Sequence, residues 1–102
     1  MQLEVVRAAT ALLQDSLPLL AAVRALADLS RALEVDVDDP DFSLFVAVDS
    51  ETDHLPGADA RTASSSSWLT QCDRELAEVE RVHGPAVRAA AERLLLRYAT
   101  AV

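Results

Sequence analysis

The stretch that decides the fold class is LPLLAAVRALADLSRAL, residues 17–33. Its larger apolar residues recur every three or four positions, which is the period of a helix with one buried face. Pro18 suits an early helical position, with Ser16 or Leu17 as the N-cap, because the first N–H groups of a helix have no partner inside it. The pattern predicts a helix from Pro18 to about Leu33.

The same periodicity continues on both sides of this stretch. Residues 3–14 predict a first helix, either separate from the second or joined to it as one kinked rod. Residues 69–83 and 85–100 predict two more helices. Gly84-Pro85 lies between them, and because proline lacks the N–H that a helix interior needs, we expect the chain to break or kink there.

Residues 42–48, FSLFVAV, fit two local structures. The preceding Asp39-Pro40-Asp41 is a helix-start signal, with an aspartate cap, proline at the first position and an acid in the first turn. The aromatic and β-branched content is instead typical of a buried strand, whose partner would be residues 33–37. A lone hairpin is marginally stable, so the helix is favoured. We therefore expect an all-α domain, a small bundle of four to five helices, with a short β-hairpin as the central alternative.

Composition indicates one helical domain over residues 1–102. Apolar residues make up 51% and aromatics 4%, so the core must be built from Leu, Val and Ala. The single Cys72 cannot form an internal disulfide, and its place on an apolar helix face predicts core packing. The N-terminus does not resemble a signal peptide, and the longest apolar run, residues 17–23, is too short to cross a bilayer. We expect a cytoplasmic protein that does not bind membranes.

The net charge of −8 is concentrated in one segment. Residues 34–60 hold nine acids and no arginine, whereas the rest of the chain holds eight acids and nine arginines. An acidic balance argues against nucleic acid as a ligand, because phosphate binding needs clustered cations. It favours a basic protein partner instead. The acids from which we predict a partner-binding surface are Asp36, Asp38, Asp39, Asp41, Asp49, Glu51 and Asp53.

The most distinctive string is DSETDHLP, residues 49–56. Its polar side chains can cap nearby backbone N–H groups, can form an exposed anionic surface, or can form a carboxylate or metal site with His54. A calcium loop of the EF-hand type is excluded, because a loop starting at Asp36 places Asp41 where glycine belongs and Ala47 where the last glutamate belongs. We expect no metal and no cofactor.

No set of residues predicts covalent catalysis, and we expect no catalytic residue. His83 lies beside the expected helix end, where it suits capping or packing, and the serine run 64–67 lacks the glycines of a nucleophile elbow. Trp68 precedes a helix that Ser67 or Thr70 can cap. It is either a staple that anchors the helix entry or an exposed anchor for a partner.

The residues DF at 41–42, FVAV at 45–48 and DSETDHLP at 49–56 together resemble a family of small bacterial proteins with an S-E-T-D-x-L-P signature. In that family a short loop and a tryptophan follow the motif, whereas here the serines lengthen the loop before Trp68. The resemblance covers about 16 residues and implies a stable bacterial domain of unassigned biochemistry. It implies no reaction, so it assigns no functional residue.

Three functions remain as hypotheses from the sequence. The first is a stoichiometric binding protein, such as an immunity protein or antitoxin-like inhibitor of a basic partner, because acidic surfaces speed the capture of cationic proteins. The second is a structural or adaptor domain that forms a homodimer, suggested by more leucines on residues 17–33 than one narrow stripe requires. The third is a metal-dependent hydrolase that uses Asp49, Glu51, Asp53 and His54.

Overall fold

The computed structural model describes residues 2–61 and 64–99, and all the regular structure in them is helical. Four long helices and one single turn follow one another along the chain: α1 (Gln2–Leu13), α2 (Leu19–Ala32), α3 (Pro40–Glu51), α4 (Ala58–Arg61) and α5 (Ser66–Ala99). The all-α prediction is confirmed. The alternative hairpin is absent from the described residues, because residues 42–48 lie inside α3.

The first two helices are separate elements joined by a tight turn. Asp15 adopts a left-handed conformation with φ of 55° just after α1. The N–H of Ser16 then reaches back to the carbonyl of Ala11 at 2.9 Å, which closes the helix end. Pro18 is the N-cap residue of α2 and not its first helical residue, so the expectation that Ser16 or Leu17 caps this helix is wrong.

The start of α3 follows the predicted signal. Asp39 is the N-cap, its carboxylate accepts a hydrogen bond from the backbone N–H of Asp41 at 2.9 Å, and Pro40 occupies the first helical position. Phe42, Phe45 and Val48 are buried at three-residue spacing. Because α3 packs against both α2 and α5, Leu44 and Val46 are partly covered too.

The predicted break at Gly84-Pro85 does not occur, because α5 runs without interruption from Ser66 to Ala99. Pro85 has no N–H group, so the carbonyl of Arg81, four residues earlier, lacks its usual hydrogen bond within the helix. Both residues are exposed. Solvent can therefore satisfy that carbonyl, and packing of the remaining face holds the helix together. The cap is also corrected: the Ser65 hydroxyl, and not that of Ser67 or Thr70, accepts the Trp68 N–H at 3.3 Å.

Two apolar clusters stabilise the bundle. The main core draws on α1, α2, α3 and α5, and Tyr98 packs edge-on against Phe42 with ring centroids 6.0 Å apart. A smaller cluster joins Leu20, Leu55 and Cys72, with Leu76 packed against it, and Cys72 is buried as predicted. The largest fully buried apolar side chains are Phe42, Phe45, Leu12, Leu26, Leu94, Val5, Val23, Val48 and Val87.

Candidate functional site

The segment from Asp39 to Arg61 runs antiparallel to α5 and is joined to it by polar contacts along its length. Residue numbers rise on the segment as they fall on α5, so the contacts form an ordered series. The pairs are Asp39 with Arg97, Asp41 with Arg93, Glu51 with His83, His54 with Glu75, and Arg61 with Asp73. The central acids therefore meet side chains from the flanking part of the chain.

Asp39 and Asp41 form a small ion-pair cluster at the C-terminal end of α5. Arg97 lies 2.7 Å from Asp39 and 3.3 Å from Asp41, and Arg93 lies 3.0 Å from Asp41. Partial burial raises the pKa of Asp39, but the Arg97 guanidinium and the N–H groups of Asp41 and Phe42 outweigh it, so the pKa lies below its ordinary value. The same bond to Asp39 raises the pKa of Arg97. These two carboxylates are structural.

Asp49 is held in a second cluster, by two arginines of α2. Its carboxylate lies 3.1 Å from Arg31 and 3.8 Å from Arg24. The Arg24 guanidinium also donates hydrogen bonds to the carbonyls of Thr52 at 2.7 Å and Leu55 at 2.8 Å. Arg24 thus fixes the turn that follows α3. This role of Arg24 was not predicted, although a lone arginine inside the apolar run LLAAVRALA is a signal for a paired, partly buried cation.

The string DSETDHLP therefore forms the end of α3 and the turn beyond it. The Thr52 side chain is buried, and its hydroxyl donates to the carbonyl of Val48 at 2.7 Å. The capping hypothesis required the Thr52 side chain to accept a hydrogen bond from a backbone N–H group. The hydroxyl instead donates to a carbonyl, so this bond is not the predicted cap. Glu51 pairs with His83 at 3.2 Å and His54 with Glu75 at 2.5 Å.

The residues of the hydrolase hypothesis do not converge. Asp49 faces α2, whereas Glu51 and His54 contact different positions on α5. Within residues 2–61 and 64–99, no group of three His, Cys, Asp or Glu side chains is arranged to hold a metal ion. His83 lies inside α5 and not at a helix end, so of the two alternatives expected for it, capping and packing, the capping of a C-terminus is wrong.

The loop between α2 and α3 carries the acids that remain exposed. We call residues 34–38 the acidic loop. Its Asp36 carboxylate accepts the N–H of Asp38 at 2.9 Å, and the Asp36 carbonyl accepts the N–H of Asp39 at 2.9 Å. These bonds form a turn with Val37 at its tip, and Val37 is 89% exposed. Glu34, Asp36 and Asp38 are exposed and form no ion pair with other described residues.

A groove lies beside this loop, between the end of α2 and α3. Its volume is about 330 Å³, and its apolar lining comes from Val35, Val37, Phe42, Val46 and Ala47. Arg31 lines the groove as well, but its charge is opposed by Asp28 at 3.0 Å and Asp49 at 3.1 Å. The acidic loop and the groove thus combine exposed negative charge with an apolar surface.

Trp68 lies away from this surface, and Asp53 follows the opposite end of α3 from the acidic loop. Trp68 is in the first turn of α5, whereas Arg97, which contacts Asp39, is near the other end of that helix. The two residues are 29 positions apart, which corresponds to about 43 Å along a helix axis. Trp68 is 41% exposed and lies outside both apolar clusters, so the staple hypothesis is not supported. Asp53 is exposed in the turn after α3.

Comparison of the chain with protein-family models, curated proteins and solved structures finds no match. None of the helices in the described part of the chain is long and apolar enough to cross a membrane.

Proposed function

We propose that this domain is a stoichiometric binding protein that captures a basic protein through the acidic loop and the adjoining groove. The observation that carries the proposal is that the central acids fall into two groups, one paired with arginines and one exposed. Arginines of this chain pair with Asp39, Asp41 and Asp49, whereas Glu34, Asp36 and Asp38 keep their charge exposed to solvent.

The shape of the acidic loop supports this function. The turn holds Val37 outward between two carboxylates, so a partner can bury an apolar contact while its cations meet Asp36 and Asp38. Exposed charge raises the rate of encounter with an oppositely charged protein, and the apolar contact prolongs the complex. An inhibitor of the immunity or antitoxin type needs both properties. A nuclease is a fitting target, since its basic site already binds phosphate.

The experiment is affinity capture from a lysate of the encoding organism at low salt, with two charge-matched variants. The loop variant is Asp36→Asn with Asp38→Asn, which keeps the turn because asparagine still accepts the hydrogen bond. The control variant is Glu80→Gln with Glu92→Gln, two exposed acids of α5. We expect one basic protein at equal stoichiometry with the wild type and the control, and its loss with the loop variant.

Salt dependence gives the second measurement. Binding through exposed charges weakens as salt is raised, because the screening length falls from about 10 Å at 0.1 M to about 3 Å at 1 M. Equal loss of partner by both variants would show that only net charge matters. Full retention by the loop variant would exclude the acidic loop as the binding surface.

A further inference from the structure

The two halves of α5 are packed to different degrees. We call residues 66–83, the first half of this helix, the strap, and Cys72 is the one buried residue in it. The buried residues beyond the strap are Gly84, Val87, Ala90, Ala91, Leu94 and Tyr98, and all of these but Gly84 join the main core. Burial of apolar surface is what holds a helix in a bundle. The strap is therefore attached more weakly than residues 84–99.

The apolar attachment of the strap is small. Cys72 and Leu76 pack with Leu20 and Leu55 in the smaller cluster, and the partly buried Val79 packs against the main core. Within the described residues, no other side chain of the strap belongs to either cluster. The strap thus covers the smaller cluster but contributes little to the main core.

Three polar contacts complete the attachment of the strap, and all of them are open to solvent. They are Arg61 with Asp73 at 2.8 Å, His54 with Glu75 at 2.5 Å, and Glu51 with His83 at 3.2 Å. In each pair at least one side chain is more than 45% exposed. Exposed pairs contribute little to stability, because water screens the charges and holding two long side chains in place costs entropy.

Gly84-Pro85 places a weak point at the junction of the two halves. Pro85 leaves the carbonyl of Arg81 without its helical hydrogen bond, and Gly84 has more backbone freedom than any other residue type. A Cβ built on Gly84 would meet no atom within 4 Å beyond its own stretch of helix. A groove of about 560 Å³ lies beside the junction and is lined on its other side by Leu17 and Pro18. The junction is therefore not tightly packed.

We propose that the strap detaches from the bundle as a unit, by a bend at Gly84-Pro85, while residues 84–99 stay in the main core. The smaller cluster and the three polar contacts then separate together, and the Cys72 thiol meets solvent. The turn after α3 keeps its place, because Arg24 of α2 binds two of its carbonyls. Such a partial opening requires less free energy than global unfolding. The strap is thus a lid over the smaller cluster.

The measurement is the rate at which Cys72 of the full chain reacts with dithiobis-nitrobenzoate. The chain has one cysteine, so the signal reports on the strap alone. The Cys72 thiolate attacks the disulfide of the reagent, forms a mixed disulfide and releases one thionitrobenzoate anion, whose absorbance gives the rate. We expect a rate at least about tenfold above the one that global unfolding allows. Because the opening exposes less surface, this rate should also rise less steeply with urea than the global unfolding constant.

Three variants should change the rate in opposite directions. Pro85→Ala restores the missing helical hydrogen bond and should slow the labelling of Cys72 at least about tenfold. Gly84→Ala fits the free space and favours the helix, so it should slow labelling about threefold. Leu55→Ala removes an apolar contact from the smaller cluster and should speed labelling at least about tenfold.

Val5→Ala is the control. Val5 is fully buried in the main core, so this change lowers global stability but should leave the labelling rate unchanged. Urea denaturation followed by circular dichroism measures global stability and confirms that each variant is folded. The proposal is overturned if labelling and global unfolding depend equally on urea, or if Val5→Ala speeds labelling as much as Leu55→Ala, because Cys72 would then react only in the unfolded chain. A rate that Pro85→Ala leaves unchanged would exclude the bend at Gly84-Pro85.

Discussion

The acids of α3 and those of the acidic loop are neighbours in sequence but have opposite surroundings. The side chains of Asp39, Asp41 and Asp49 are 12–19% exposed and touch arginines of α2 or α5. Asp36 and Asp38 are exposed and bond only within their own turn. A run of acids in a sequence therefore does not define an anionic surface, because packing of the helix decides which charges remain available.

The difference arises from the apolar content of α3. Phe42, Phe45 and Val48 draw the helix between α2 and α5, and the carboxylates on either side of this row are carried to those helices. Partly buried carboxylates need partners, and the arginines that flank the contact supply them. The acidic loop has a single inward residue, Val35, so its carboxylates stay in solvent.

The largest effect is expected from the removal of Arg24, one of the arginines that contact the partly buried acids. Arg24→Ala leaves two backbone carbonyls without their charged donor and Asp49 without one of its cations. Hydrogen bonds to charged groups contribute about 1.5–3 kcal/mol, so the free energy of unfolding should fall by about 3 kcal/mol. Urea denaturation followed by circular dichroism measures it.

Arg31→Ala is the matched control for that change. Arg31 also pairs with Asp49, but its side chain is 53% exposed and it bonds no backbone carbonyl. The loss should stay below about 1 kcal/mol, as for other exposed ion pairs. Equal effects of the two changes would show that the carbonyl contacts of Arg24 contribute nothing.

The next effect concerns Asp39, which acts as both a cap and an ion-pair partner. Asp39→Ala removes both interactions and should lower the free energy of unfolding by about 1–2 kcal/mol. Asp39→Asn keeps the capping acceptor and loses only the charge, so it should cost less. The same denaturation measurement compares them, and equal losses would mean that Arg97 and not the cap accounts for the whole contribution.

The pH dependence of Asp39 follows from its lowered pKa. A carboxyl group whose pKa is lower in the folded state stabilises the fold above its unfolded pKa of about 3.9, and that stabilisation is lost as pH falls through the folded value. The difference in the free energy of unfolding between the wild type and Asp39→Asn should therefore be largest at pH 7 and should shrink below about pH 4. A difference that is constant with pH would exclude a contribution from the charge.

Local signals predicted much of the fold. The periodicity of residues 3–14 and 17–33 gave α1 and α2, and the cap at Asp39 gave the start of α3. Residues 42–48 were ambiguous because a short helix that packs on two sides has no single apolar stripe, so it reads like a strand. Continuity through Pro85 was missed, because packing over a long helix outweighs the loss of one exposed hydrogen bond.

The partners of the acids could not be predicted in the same way. Asp39 and Arg97 are 58 residues apart, and any of nine arginines was available to nine central acids. Only the packed arrangement of α2, α3 and α5 selects the pairs. The leucines of α2 that suggested a dimer illustrate the same limit, since Leu19 enters the main core and Leu20 the smaller cluster with Leu55.

Removing one acid from the acidic loop should stabilise the protein. Glu34 lies two residues beyond the end of α2, in the left-handed region with φ of 54°, and the N–H of Val35 donates to the carbonyl of Ser30 at 3.0 Å. Glycine adopts this conformation without a steric cost, so Glu34→Gly should raise the free energy of unfolding by about 1 kcal/mol. Asp15→Gly is the control. It relieves a similar steric cost in the backbone, but it also removes the contact between Asp15 and Arg88 at 2.7 Å. The net rise in the free energy of unfolding should therefore be smaller.

The smallest effect is expected for the acids that we assign to binding. Asp36→Asn with Asp38→Asn removes two charges without altering the turn, because the amide oxygen of residue 36 still accepts the N–H of residue 38. The free energy of unfolding should stay within about 0.5 kcal/mol of the wild type, as for other exposed substitutions. A larger fall in the free energy of unfolding, measured by urea denaturation, would mean that these carboxylates also stabilise the fold. The distinction between structural acids and acids available for binding would then not hold for the acidic loop.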